Sequence, residues 1–331
     1  MIKSAKDIGI GIIGVGIMGR GHALYLSDYV KGGKVVAIYD TNLATAQKVA
    51  KEVFKKTKVL PKVYKDLSMI LDDQLVKAVI IASPDHLHAN HLEKAILAGK
   101  DVLCEKPLAS KEKDARKVAK LARNSKSIVG IGFMRRFDRP YQDLKREIES
   151  GKYGKVLQIR CTSRNVSSPT ATTAMLLTNV AVHEIDIIRW LLGEEIVSVS
   201  VNFAKTTSKA NSNLSDPISV NCYTESGVLA TIDICANSTY GYEVGMEVIT
   251  ENGSLVIENL GQLNIAYNFK LPARKGGTLH KDWMGRFKPA YIAELKAFVN
   301  SLQKRKLDKN LATVEDGLAA SIACGLGVKK L

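Results

Sequence analysis

Two short stretches of this chain hold residue types whose spacing can do chemistry. Residues 101–107 read DVLCEKP, so Lys106 stands between Glu105 and Pro107 where an apolar run ends. A lysine ammonium that is partly desolvated can trade a proton with a hydroxyl at neutral pH. Pro107 keeps the residue before it away from helical angles, which fixes the direction of the Lys106 side chain. The second stretch is GVGIMG, Gly14 to Gly19, a G-x-G-x-x-G pattern that follows one apolar run and opens an amphipathic one. In that context Gly14 permits a tight turn, Gly16 the close approach of a pyrophosphate, and Gly19 a close helix-to-strand contact. The first N–H groups of the following helix, at Ile17 and Met18, then face the anionic phosphates.

Asp40 ends the next apolar run, KVVAIYD. A carboxylate there accepts from a ribose 2′-hydroxyl and repels a 2′-phosphate, and the following Thr41-Asn42 supplies no arginine to offset that repulsion. The expected cofactor is NAD in preference to NADP. ASPDHLHANH, residues 82–91, falls at the end of a further apolar run, with Ser83 and Pro84 expected to line the nicotinamide side. His86, His88 and His91 lie close together, and His88 and His91 have i, i+3 spacing. With no acidic or cysteine ligand nearby, the expectation is capping, cofactor-side and surface roles for these histidines, and no metal.

The elements that must position these residues follow from the hydrophobic pattern. IGIGIIG, KVVAIYD, KAVIIAS, DVLCE and SIVGIGF are continuous in Val and Ile, the mark of parallel strands covered on both faces. Between them MGRGHALYLSDYV, LATAQKVAKEVFKK, HLHANHLEKAILAG and KEKDARKVAKLARNS have helical periodicity, with Gly99 where a helix stops. Repeated right-handed strand–helix–strand crossovers predict a doubly wound parallel sheet over residues 1–134, a Rossmann domain. Its crevice at the strands' carboxyl ends would gather Gly14, Gly16, Gly19, Asp40, Ser83, Pro84, His88, Glu105 and Lys106. After Phe133 the pattern changes to strands of antiparallel character (VLQIRCTSRN, IVSVSVNFA, ISVNCYTESG, VLATIDICANS, EVGMEVITENGSLVIEN), with helices at RPYQDLKREIESG, NVAVHEIDIIRWLLG, KPAYIAELKAFVNSLQ and TVEDGLAASIACGLGV. Residues 135–331 are therefore expected to form an α+β domain with an open, mostly antiparallel sheet.

Composition narrows the class. A chain of 331 residues, 46% hydrophobic, can bury two cores. No apolar run reaches the ~18–20 residues that span a bilayer, and the first apolar stretch is too glycine-rich for a signal core. A cytoplasmic location is expected. Five scattered cysteines without a C-x-x-C pair argue against a disulfide framework or a zinc site. The net charge of +15 is spread along the whole chain with no basic stripe, so it predicts solvated surface and steering of anionic ligands, not nucleic-acid binding.

Taken together, GVGIMG, Asp40, SPDHLH, CEKPLA and the later HEID resemble the Gfo/Idh/MocA oxidoreductase family, and GFMRRFD, SRN, VHEIDIIRWL, YGYE and DWMGRFKPAYIAEL resemble its inositol 2-dehydrogenase branch. The resemblance implies a homotetramer assembled through the open sheets, and NAD-dependent oxidation of a ring hydroxyl of a cyclic polyol such as myo-inositol. It implies proton transfer at Lys106, a histidine at His183 near the reacting hydroxyl, and Met134, Arg135, Asn165 and Tyr240 facing the polyol, with Trp283 and Tyr291 near them. Where such proteins usually have aspartate four residues before the histidine, this chain has Asn179, which can donate and accept hydrogen bonds but not take a proton. Helical i, i+4 spacing would put Asn179 and His183 on one face. Two other readings stay open at this point: an aldose dehydrogenase or reductase, and an NAD-binding sensor without turnover.

Overall fold

The computed structural model describes residues 7–258, 263–267 and 280–331. The chain forms two compact units, one from Met1–Met134 with Tyr291–Leu318 and one from Arg135–Ala290 with Ala319–Leu331. The first unit thus includes Tyr291–Leu318, a segment the sequence reading left with the second domain.

In the first unit the elements run β1 (Ile8–Ile13), α1 (Ile17–Tyr29), β2 (Gly33–Tyr39), α2 (Leu43–Thr57), β3 (Lys62–Tyr64), α3 (Leu67–Asp72), β4 (Ala78–Ile81), α4 (His88–Leu97), β5 (Asp101–Glu105), α5 (Glu112–Arg123) and β6 (Val129–Gly132). The strands lie in the order β3-β2-β1-β4-β5-β6, and every neighbouring pair is parallel. The strand order reverses at β1, between β2 and β4, and that is the switch point at which such sheets bind ligands. Val and Ile fill the central strands because helices cover both faces: Ile10, Ile12, Ile13, Ile80 and Ile81 are fully buried. Each such side chain contributes roughly 1.5–3 kcal/mol of burial.

Helix α4 stops where the sequence predicts. Gly99 has φ 68, its N–H donates to Ile96 O, and the next N–H, of Lys100, donates to Ala95 O, closing α4 through a left-handed glycine. The returning segment is tied to the same unit: Ile131 N–H donates to Ala312 O at 2.9 Å, and Arg305 pairs with Asp101.

The second unit contains α6 (Arg139–Glu149), β7 (Val156–Arg164), α7 (Thr173–Met175), α8 (Val182–Leu192) and the strands β8 (Ile196–Phe203), β9 (Ile218–Thr224), β10 (Leu229–Cys235), β11 (Glu243–Thr250), β12 (Gly253–Ile257) and β13 (Leu263–Tyr267). Its sheet has the order β13-β12-β11-β7-β10-β9-β8, antiparallel throughout except for the β7–β10 pair. One face is apolar and buried (Ile159, Cys161, Val220, Cys222, Ile232, Val244, Met246, Val248). The other carries polar cross-strand pairs such as Thr231 with Asn221 and Arg160 with Glu247. Two further helices, α9 (Trp283–Lys304) and α10 (Val314–Val328), close the chain, their residues shared between the units. The helix expected to open at Asn179 starts earlier: Leu176–Ala181 is wound as a π-helix that passes directly into α8.

All five cysteines are free; burial pushes the Cys104 and Cys161 thiols well up and Cys222 to about 12, so these three pack as inert apolar groups. Among the described residues no helix is long and apolar enough to cross a membrane.

Candidate active site

In the first unit the glycine turn is built by contact. Gly14 has φ 83, and a Cβ on Gly19 would stand 1.8 Å from Gly14 O, so helix α1 can leave β1 this closely only with glycine at both places. Gly16 differs: a Cβ built there meets nothing within 4 Å. It is also the N-cap of α1, with no side-chain cap and no acidic residue in the first turn, and Ile17 beside it is 70% exposed. Uncapped N–H groups beside open space at a helix's positive end fit a pyrophosphate. Met18 is half-buried behind them.

Asp40 follows β2 directly. One carboxylate oxygen accepts from Val15 N–H at 2.8 Å and the other from Asn42 N–H at 2.8 Å, while the cap of α2 falls to Asn42, whose side chain accepts from Thr45 N–H. Asp40 therefore ties the glycine turn to the end of β2, and each oxygen retains a lone pair for a ribose hydroxyl. These residues fit a dinucleotide of the NAD type.

At the ends of β4 and β5, His88 is 1% exposed and spans two backbone carbonyls, Nδ1 at 2.7 Å from Pro107 O and Nε2 at 2.8 Å from Ser83 O. Both ring nitrogens of His88 are thus taken up by backbone carbonyls. His91 Nδ1 lies 3.0 Å from Ser83 Oγ, and its ring meets Tyr39 edge-on. Burial first, then the nearby His88, Lys94 and His86, push the His91 pKa down to about 4. Two of the three histidines in SPDHLHANH are thus committed to protein atoms, while His86 is exposed. Pro84 is exposed beside half-buried Ser83.

Lys106 is half-buried, between Glu105 and Pro107, both buried. The Glu105 carboxylate faces His22 of α1, Nε2 to Oε1 2.7 Å, with both side chains nearly sealed from solvent. Sequence reasoning missed His22. Its only signal was position, since it shares the inward face of α1 with Gly19, Ala23 and Leu26. Tyr291, expected beside the polyol, stands in this unit with its ring edge-on to His22 at 5.8 Å. Met134 is buried at the end of the unit, opening a 3₁₀ turn over Met134–Phe137.

In the second unit Arg135, 2% exposed, pairs with Glu184 at 2.5 Å, and Arg136 forms a two-pronged bond with Asp186 at 2.9 and 2.6 Å. Burial alone would lower the Arg135 pKa, but the attraction of Glu184 outweighs it and holds the guanidinium charged. Arg286 grips Asp138 through two bonds of 2.8 Å, and the guanidiniums of Arg135 and Arg286 both lie over the Phe287 ring. Arg135, expected to face the polyol, is thereby occupied by an internal acid. The HEID motif serves as the other half of this lattice, with His183 half-buried beside Glu184.

Asn179 lies within the π-wound turn, half-buried, where an extra residue per turn changes the simple i, i+4 relation to His183. Asn165 follows β7 and is stitched by its backbone to Cys235 and Ser238. Tyr240 is 59% exposed and donates to Glu243, and Trp283 is half-buried at the start of α9. Among the described residues no cluster of three His, Cys, Asp or Glu side chains is placed to hold a metal.

Comparison with known proteins gives a consistent result over the whole chain. Residues 8–133 match the model of the oxidoreductase family with NAD-binding Rossmann fold, and residues 141–256 match the GFO/IDH/MocA C-terminal domain. An inositol 2-dehydrogenase/D-chiro-inositol 3-dehydrogenase of Halalkalibacterium halodurans is 36% identical over 321 residues, 96% of this chain and 90% of that protein. Inositol 2-dehydrogenase 4 of Saccharopolyspora erythraea is 34% identical over 327 residues, 98% and 94% of the two chains. Among solved structures, myo-inositol dehydrogenase from Lactobacillus casei in complex with NAD(H) and myo-inositol superposes with a TM-score of 0.87 at 28% identity, covering 98% of this chain and 94% of that one.

Proposed function

The chain belongs to the Gfo/Idh/MocA oxidoreductase family, and on that premise we propose that it is an NAD-dependent dehydrogenase that oxidises a ring hydroxyl of an inositol to the ketone. The observation that carries this reading is Lys106, half-buried at the carboxyl end of β5, in the same unit as a glycine turn whose open side fits a pyrophosphate. NAD, when bound, supplies the hydride acceptor. Gly14, Gly16, Ile17, Met18 and Gly19 cradle its phosphates, Asp40 takes the ribose, and Ser83 and Pro84 line the nicotinamide side.

Lys106 accepts the hydroxyl proton, with His183 as its partner in the reaction and Asn179 and Asn165 orienting the ring through hydrogen bonds. Because Asn179 is an amide, it orients without taking a proton, and the proton load falls on Lys106 and His183. Tyr240 and Trp283, neither of them buried, are the remaining polyol contacts in this reading, while Met134, Arg135 and Tyr291 support the site from within their own units.

We further place the protein in the cytoplasm as a homotetramer associated through the open face of the seven-stranded sheet, with no nucleic-acid partner. The test is NADH formation, read by absorbance, over a panel of inositols and hexoses. Turnover on an inositol that falls by ~10²–10⁴ in Lys106→Ala, with NAD binding kept, supports the reading. Full activity in that variant removes Lys106 from the mechanism; turnover only on hexoses makes the protein an aldose dehydrogenase, and binding without turnover makes it a sensor.

A further inference from the structure

The two residues that flank the proton-accepting lysine are each held by a buried imidazole. On one side His22, from the interior of α1, holds the Glu105 carboxylate at 2.7 Å and meets the Tyr291 ring edge-on. The Glu105 carboxyl group is itself seated over Gly132 of β6, where a Cβ would come within 3.3 Å of its Cδ and Oε2. On the other side His88, at the start of α4, holds the Pro107 carbonyl at 2.7 Å and joins it to the Ser83 carbonyl at 2.8 Å. Lys106 is the single residue between these two anchored neighbours. Neither imidazole has a ring nitrogen turned toward open space: His22 Nδ1 is buried without a hydrogen-bond partner, and both nitrogens of His88 are used.

We propose that His22 and His88 are positioning residues for Lys106, forming a bracket that fixes the ammonium group's place from the helices that open and flank the cofactor crevice. The proposal rests on the reading of Lys106 as the proton acceptor and adds the means by which it is aimed. It also couples two parts of the site. His22 stands on the helix whose first turn takes the pyrophosphate, so the helix that receives the cofactor also registers the lysine. His88 joins the loop that lines the nicotinamide side, at Ser83, to the residue after the lysine. Neither histidine exchanges a proton with the substrate. Loosening either anchor by about 1 Å is enough to cost a large factor in rate, because proton transfer depends on the donor–acceptor approach.

The test is a set of double-variant cycles on the intact enzyme, with NADH affinity read by fluorescence and thermal stability monitored. His22→Leu and His88→Leu are expected to lower kcat by about tenfold or more, with polyol KM and NADH affinity kept within about threefold, and His22→Gln, which returns a donor to Glu105, is expected to recover most of the loss. The decisive reading comes in the Lys106→Ala background, where the same substitutions are expected to cost the residual turnover nothing further, because groups acting through one residue are not additive. His88→Gln, of similar volume and still polar, takes the place of the leucine variant in the same cycle if that variant fails to fold. Parental kcat in the histidine variants, equal losses with and without Lys106, or losses matched by NADH affinity would each overturn the bracket. Full activity in Lys106→Ala would instead remove the reading of the lysine on which it stands, so the two failures are separable.

Discussion

His91 shows how a single buried ring makes this fold sensitive to acid. Its pKa sits at about 4, against an ordinary 6.5, because burial and neighbouring cations disfavour the charged form. The unfolded chain therefore binds a proton at higher pH than the folded one. The stabilisation is complete above about pH 6.5, is lost progressively as pH falls towards 4, and amounts to about 3 kcal/mol over that window. Urea midpoints measured at pH 7.5 and 4.5 are expected to separate more widely in the parent than in His91→Gln; an equal separation would remove His91 as the cause. At this scale the sequence is legible where chemistry is local. Gly14, Gly16, Gly19, Asp40 and Lys106 announce themselves by spacing or by neighbours in the chain. His22 does not, because its partner Glu105 lies 83 residues away and nothing near it in sequence marks the pair. Arg135 is a similar case: the motif around it suggests a ligand contact, while its acid, Glu184, is 49 residues further on.

The glycine turn and the buried ion pairs are properties of elements meeting each other. Gly16→Ala is expected to leave the melting temperature unchanged and weaken NAD binding, since its Cβ meets no protein atom and fills the space for the pyrophosphate. Gly19→Ala is expected to destabilise the apoprotein itself, since its Cβ collides with Gly14 O. Calorimetry and NADH titration of the two variants separate these effects, and a stable Gly19→Ala would contradict the packing described. In the second unit Glu184→Ala leaves the Arg135 guanidinium buried without its acid and is expected to cost about 3–5 kcal/mol in chemical denaturation. A loss below about 1 kcal/mol would mean that water reaches the pair. Strands and helices were legible wherever Val and Ile runs or helical periodicity were long. The three-residue β3 carries no such run, whereas β13 lies in QLNIAYNFK, an alternating stretch from which a strand was legible though not expected. The π-winding of Leu176–Ala181 leaves no periodic trace either, because a six-residue segment is too short for one period to be told from another.

For the whole molecule, light scattering on the purified protein is expected to give four times the 36.1 kDa chain mass, and a monomer at micromolar concentration would count against the tetramer. Fold class was readable from the alternation of strand and helix followed by a change of pattern. The return of Tyr291–Leu318 to the first unit was not, since the apolar spacing of a helix says that a face is buried but not against which neighbour. That return sets the timing of folding on the ribosome. A nascent chain that has just released Met134 offers all six strands of the first sheet, yet the arginine that pairs with Asp101 and the carbonyl that receives the Ile131 N–H are still untranslated. The nucleotide-binding half can finish only after Arg305 and Ala312 have been translated, and a fragment cut at residue 134 is expected to leave that edge of the sheet open to association with other chains.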